Sequence, residues 1–235
     1  MAATIKLEKL SKKYGDKTAV AELSTEFYAG QIVALLGENG AGKSTLLNMM
    51  AGFLAPTSGR VLIEGDDIAQ HPEKCKKKIG FLPEGSPLYD DMRVNDFLAY
   101  MSELKGVGPA AVATAIAQAN LDEVQTSKID TLSKGYRRRV GFAVSLLCNP
   151  PILLLDEPSD GLDPNQKAHL LGLITDMSKQ KTIIISTHLL DEAEQIANRI
   201  MIMHQGEIKI DGDKDALCKQ TRTISLENAF VKLTR

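Results

Sequence analysis

The stretch that most restricts the fold is "QIVALLGENGAGKSTLLNMMAGF", Gln31 to Phe53. An uninterrupted apolar run ends in a glycine-rich turn, and the residues after the turn have helical spacing. Within it, "GENGAGKST" (Gly37–Thr45) matches G-x-x-x-x-G-K-[ST] in the strand–loop–helix setting that this pattern needs. Glycine lets a backbone curl around an anion with its N–H groups pointing inward. The helix that follows adds partial positive charge at its N-terminus. Gly37, Glu38, Asn39, Gly40, Ala41 and Gly42 are therefore expected to wrap a phosphate. Lys43 is expected to reach the β- and γ-phosphates of a nucleotide, Ser44 to ligate Mg2+ and Thr45 to make a further phosphate contact. A glycine-rich turn that binds nothing is the plainer alternative, and the match at every fixed position argues against it.

The same alternation of strand and helix continues along the chain. The spacing predicts strands at "RVLIEGDDI", "KKIGFLPE", "PILLLDEP" and "KTIIIST", and a hairpin over "IMIMHQGEIKIDG" around His204, Gln205 and Gly206. Helices are predicted at "VNDFLAYMSELKG", "PAAVATAIAQANL", "RRRVGFAVSLLC", "PNQKAHLLGLITDMSKQ" and "LLDEAEQIANR", with Pro164 at a first-turn position. "PILLL" and "TIIIS" lack polar alternation, as strands buried on both faces do. This order implies a mostly parallel α/β core. The segment from about residue 87 to 143 is nearly all helical and reads as a subdomain inserted into that core. Residues 211–235 read as a short helical extension, and 1–235 as a single domain.

Composition narrows the function classes. The 235 residues are 43% hydrophobic and 25% charged, ordinary for a chain that buries a core. A net charge of −2 gives no global drive toward nucleic acid or anionic membrane, so any basic function is local. "MAATIKLEKLSKKYG" has no signal-peptide pattern, and no apolar run approaches the roughly 20 residues that span a bilayer. A cytoplasmic chain is expected, with any membrane part supplied by another chain. Cys75, Cys148 and Cys218 lie far apart, and read as idle thiols rather than a disulfide framework or zinc site.

A second chemical element is "ILLLDEP", Ile152 to Pro158. Its apolar strand delivers two adjacent carboxylates at its carboxyl end, where α/β sheets bind ligands. Asp156 is expected to hold magnesium through water, and Glu157 to polarise an attacking water as general base. An acidic pair after a strand is by itself often a helix cap or a loop. Beside a phosphate loop it reads as catalytic.

"LSKGYRRRV" (Leu132–Val140) chooses among the many phosphate-loop proteins. Standing upstream of "LLLDEP", it resembles the LSGGQ signature of ABC-type ATPases. "SDGLD" (Ser159–Asp163) looks like that family's D-loop, with Asp160 and Asp163. "STH" ends on His188, similar to its switch histidine. "KKYG" places Tyr14 where an aromatic stacks on adenine, and "LPE" places Glu84 at the position of the Q-loop glutamine. The resemblance covers essentially the whole chain. "LPEGSPLYDDM", "SDGLDPNQ" and "SLENAFVKL" are similar to ABC-2 type exporter subunits, including the gliding-motility-like group.

The resemblance implies an α/β P-loop NTPase fold: a RecA-like, mostly parallel core with an N-terminal antiparallel β subdomain and an inserted helical subdomain. It implies a head-to-tail dimer, of this chain or with a related ATPase subunit, that sandwiches two ATP molecules with Mg2+. Ser133 and the Gly135 N–H would contact the γ-phosphate of the other subunit. His188 would stabilise the γ-phosphate and the attacking water, and Glu84 would join Ser44 and Asp156 around the metal. ATP hydrolysis by Glu157, His188 and Lys43 would then drive separate integral membrane permease subunits, leaving the chain peripheral to the inner face of the membrane. No nucleic-acid partner is expected. A non-transport ABC ATPase working on nucleic acid or a soluble scaffold is the competing reading. Three positions depart from the pattern: Glu84 for glutamine, Lys134 for glycine and Tyr136 for glutamine. Glu84 brings a negative charge close to the γ-phosphate. Lys134 either adds a cation there or points to solvent. Arg137, Arg138 and Arg139 are expected to make ion pairs at the dimer or domain surface.

Overall fold

The structure is a computed structural model, and it describes residues 2–234. Strands β1 (Ile5–Tyr14) and β2 (Lys17–Phe27) pair antiparallel from Ile5↔Phe27 to Tyr14↔Lys17. The chain then leaves this ribbon for β3 (Ile32–Leu36) and helix α1 (Lys43–Met50). It returns as β4 (Ser58–Ile63) on the free edge of β1, with the short β5 (Asp66–Asp67) beyond it. The small helix α2 (Pro72–Lys76) leads into β6 (Ile79–Leu82). Three helices follow: α3 (Val94–Leu104), α4 (Pro109–Gln118) and α5 (Lys134–Leu146). The core then resumes with β7 (Ile152–Asp156), α6 (Pro164–Ser178), β8 (Thr182–Thr187), α7 (Leu190–Ile196), β9 (Arg199–His204) and β10 (Glu207–Gly212). Helices α8 (Lys214–Thr221) and α9 (Leu226–Thr234) end the described chain.

The larger sheet has the order β10-β9-β3-β8-β7-β6. Its strands from β9 to β6 are parallel, and β10 returns antiparallel. Every residue of β3, β7 and β8 is buried, which explains their lack of polar alternation. Their two-residue period persists as a division between two cores. Ala34, Leu36, Leu153, Leu155, Ile183 and Ile185 pack on the helical side. Val33, Leu35, Leu154 and Ile184 pack with α1 and the antiparallel sheet. Truncating Leu154 to alanine is expected to cost about 2–5 kcal/mol.

The parallel arrangement sets which loops meet. The carboxyl ends of β3, β8, β7 and β6 all open on one edge of the sheet, so the loops after Leu36, Thr187, Asp156 and Leu82 become neighbours although they are far apart in sequence. Two elements differ from expectation. Helix α7 stops at Ile196, before "ANR", because Asn198 is used elsewhere: its side chain accepts from the Ile32 N–H and donates to the Gly30 carbonyl. Strand β10 runs into the expected tail as far as Gly212, and Asp213 caps α8 by accepting from the Ala216 N–H. No helix of the described residues is long and apolar enough to cross a membrane.

Candidate functional site

The glycine-rich loop is shaped by contacts that exclude larger residues. Gly40 and Gly42 have φ of 84° and 109°. A Cβ on Gly42 would stand 2.2 Å from the Ala19 carbonyl oxygen, and one on Gly37 would stand 2.4 Å from that of Met203. The β9–β10 turn braces the loop, since the Gly206 N–H donates to the Ala41 carbonyl and the Ala21 N–H to the Gly206 carbonyl. Gly42 is the N-cap of α1 and no side chain caps it, so the helix presents its first amides and its positive end to the loop. Lys43 is only 6% exposed. Its ammonium curls into the loop, donating to the Gly37 carbonyl at 2.6 Å and the Glu38 carbonyl at 3.2 Å. Burial pushes its pKa down, while Glu157, Asp156 and Glu84 pull the other way.

The end of β7 supplies the carboxylates. Asp156 is buried, and one oxygen accepts from the Ser186 hydroxyl at the facing position of β8. Its other oxygen, Oδ2, is buried and has no hydrogen-bond partner. Glu157 takes the left-handed backbone conformation, φ 48°, which costs of order 1–3 kcal/mol and is held by its N–H donating to Ser186. This turn points its carboxylate back across the sheet edge. Oε1 lies 3.8 Å from the Lys43 ammonium and Oε2 lies 3.0 Å from His188 Nδ1. Glu157 thus stands between the phosphate-loop lysine and the histidine at the end of β8.

Lys43 and Glu157 share one cleft of about 400 Å³, whose walls include neither Asp156 nor His188. Tyr14, Asn39, Gly40, Gly42, Lys43, Ser44, Thr45, Glu84 and Glu157 line it, together with Lys17 and Ala19. Tyr14 is half exposed, with the Lys12 ammonium 5.3 Å from its ring centre. Glu84 is exposed on the cleft wall.

The signature segment is built differently. Ser133 caps α5, accepting from the Tyr136 N–H at 3.3 Å, and it lies on no wall of the cleft. Gly135 is a glycine because the D-loop presses on it: a Cβ there would meet the Gly161 carbonyl oxygen at 3.0 Å. Lys134 extends over Gly161 and pairs with Asp160 at 2.8 Å, with both side chains well exposed. Asp163 caps α6, accepting from the N–H groups of Asn165 and Gln166.

The three arginines do not form one surface set. Arg137 makes the expected surface pair, with Asp90 at 2.7 Å. Arg138 and Arg139 correct that expectation, because each is about 95% buried and neither has a carboxylate partner. Arg139 stacks on the Tyr136 ring, 4.2 Å from its centre, and donates to the Asn120 carbonyl. A helix position three residues from Tyr136 faces the same side, so packing overrides the charge.

Two residues escaped sequence reasoning. Glu192 is fully buried. It accepts from the hydroxyls of Ser159 and Thr187 and pairs with Lys167 at 3.0 Å, so it ties the D-loop to the strand end that carries His188. The signal was a glutamate beside Ala193 on the inward face of α7. Lys17, in the cleft wall, follows from its pairing opposite Tyr14 across the first hairpin.

A phosphate loop after one parallel strand and an acidic pair after another, facing it across the sheet edge, define a P-loop nucleoside-triphosphatase. A family model described as "ABC transporter" matches residues 20–160, and the chain belongs to that family. It is 33% identical over 221 residues to the linearmycin resistance ATP-binding protein LnrL of Bacillus subtilis, covering 92% of this chain and 71% of that one. It is 35% identical over 220 residues to human phospholipid-transporting ATPase ABCA3, covering 90% of this chain but only 13% of that much longer protein. A bacterial ABC transporter cassette solved as a dimer superposes with a TM-score of 0.83 at 26% identity, covering 89% of this chain and 98% of that one.

Proposed function

We propose that this chain binds and hydrolyses ATP as one of two ATPase subunits driving the membrane subunits of an ABC-type exporter. The observation that carries the reading is the position of Glu157, with one carboxylate oxygen toward Lys43 and the other hydrogen-bonded to His188. The adenine stacks on Tyr14, and the loop amides from Gly37 to Thr45 cradle the phosphates. The Lys43 ammonium exchanges its loop carbonyls for β- and γ-phosphate oxygens. Glu157 takes a proton from the attacking water, and His188 orients that water and Glu157.

The donor set suits Mg2+. Among the described residues no three His, Cys, Asp or Glu side chains gather to hold a metal, so a metal here needs nucleotide oxygens. Asp156 offers an unpartnered buried oxygen, and Ser44 and Glu84 stand on the cleft wall. Hard oxygen donors shared with phosphates and water are what Mg2+ prefers, and the bound ion neutralises charge developing on the transferred phosphoryl group. Ser133 and the Gly135 N–H complete the site of a second subunit, either another copy or a related chain.

The membrane subunit docks in an apolar groove of about 650 Å³ between the core and the inserted helices. Phe53 and Leu104 are both about two-thirds exposed on its rim, and Phe81, Phe97 and Met101 also line it. Pro83, Ser86 and Pro87 line the groove while Glu84 lines the ATP cleft, so one loop serves both.

The Glu157→Gln variant is expected to bind ATP and lose hydrolysis by about 10²-fold or more, trapping a dimer. Phosphate release at the unsubstituted rate would overturn the role of Glu157. Purification of the native complex is expected to bring down an integral membrane protein. Recovery of a soluble homodimer alone would remove the exporter reading and leave the ATPase one.

A further inference from the structure

Arg138 holds a buried positive charge that the ATPase reading leaves unused. Its guanidinium makes four hydrogen bonds, all to neutral acceptors. Nη1 donates to the Pro83 carbonyl at 2.6 Å and to the Ser86 hydroxyl at 2.8 Å. Nε donates to the Glu157 carbonyl at 3.1 Å, and Nη2 donates to the Asp156 carbonyl. The two acceptors on one side flank Glu84, and the two on the other side carry the paired carboxylates. A planar fork with donors in fixed directions is suited to holding two backbones in one relative position.

We propose that Arg138 is a positioning residue that sets the Glu84 loop against Asp156 and Glu157. The inference rests on the ATPase reading of the cleft and names what regulates that site. Two observations support it. First, the loop it grips is the one shared between the ATP cleft and the apolar groove, so movement of the groove wall reaches Glu157 through one side chain. Second, Arg138 lies on α5, the helix that Ser133 caps, so a displacement of the signature helix pulls on the same fork.

The test compares Arg138→Gln and Arg138→Lys with the unsubstituted full chain. Readouts are steady-state ATPase, ATP affinity by a fluorescent ATP analogue, and backbone amide exchange. R138Q is expected to lower kcat at least tenfold while the ATP Kd changes less than threefold. R138K keeps the charge without the fork and is expected to recover part of the loss. Amide exchange is expected to rise at residues 84–86, 88 and 157 and to stay unchanged in α3 and α4. An R138Q kcat within twofold of the unsubstituted chain overturns the proposal. So does exchange rising throughout the molecule, which marks a merely structural arginine. A chain that binds no ATP refutes the ATPase reading instead, and the amide exchange of residues 84–86 and 88 still decides whether Arg138 holds the loop.

Discussion

The two halves of the site, the phosphate-loop half and the signature half, are finished to different degrees within one chain. On the first, Lys43, Glu157 and His188 already touch in sequence, and the loop is braced by the β9–β10 turn. On the second, Ser133 caps its own helix and Lys134 is engaged with Asp160, so nothing there meets the cleft of the same chain. A segment rich in polar groups that faces away from its own chemistry is half of something. The proposed dimer would give it a phosphate to address, at the positive end of α5.

Substitutions can break that contrast. The largest effect is expected from Lys43→Ala, which removes a preorganised cation from the phosphate site and should lower hydrolysis by roughly 10²–10³-fold, read by phosphate release. Ser133→Asp sharpens the comparison. Aspartate caps a helix as well as serine does, so folding survives, while the new charge repels the partner's phosphate. ATP binding to the isolated chain should hold while ATP-driven dimerisation, followed by light scattering, falls tenfold or more, about 1.4 kcal/mol. If the monomer loses ATP instead, the signature belongs to its own cleft.

Asp163→Ala tests the neighbouring D-loop and removes a cap with two N–H contacts. The expected cost is about 1 kcal/mol, a Tm decrease of about 2–4 °C by calorimetry. Lys134→Ala should have the smallest effect. Its pair with Asp160 is exposed, and such pairs contribute about 0–1 kcal/mol. ATP-driven dimerisation should persist, and its loss would assign Lys134 to the partner's phosphate.

The turn of the glycine-rich loop into α1 was legible because its constraints are local. Gly37, Gly42 and Lys43 are consecutive or nearly so, and their spacing is dictated by a single turn into a helix. The buried strands "PILLL" and "TIIIS" were legible for a related reason: helices on both faces of a parallel sheet leave no polar side. The N-terminal ribbon was not legible from its residues. Register shifts between Leu7 and Lys13 break the alternation of β1, and that strand mixes buried and exposed residues irregularly. The arginines show the converse problem. "YRRRV" has the composition of a solvated face, but the helical period turns Arg138 and Arg139 inward and leaves Arg137 at the surface.

By itself, the sequence determined a phosphate-binding loop, a mostly parallel core, an acidic pair at a strand end and a signature that resembles those of ABC ATPases. Each of these is encoded in contiguous residues, where local backbone geometry and hydrophobic period suffice. Only the tertiary structure decided that Glu157 bridges Lys43 and His188, that Lys134 closes on Asp160, that Glu192 lies beneath the D-loop, and that Arg138 joins the Glu84 loop to the end of β7. Those contacts depend on which strands lie side by side and on where helix α5 packs. A parallel sheet brings distant loops to one edge by an order that no single segment carries.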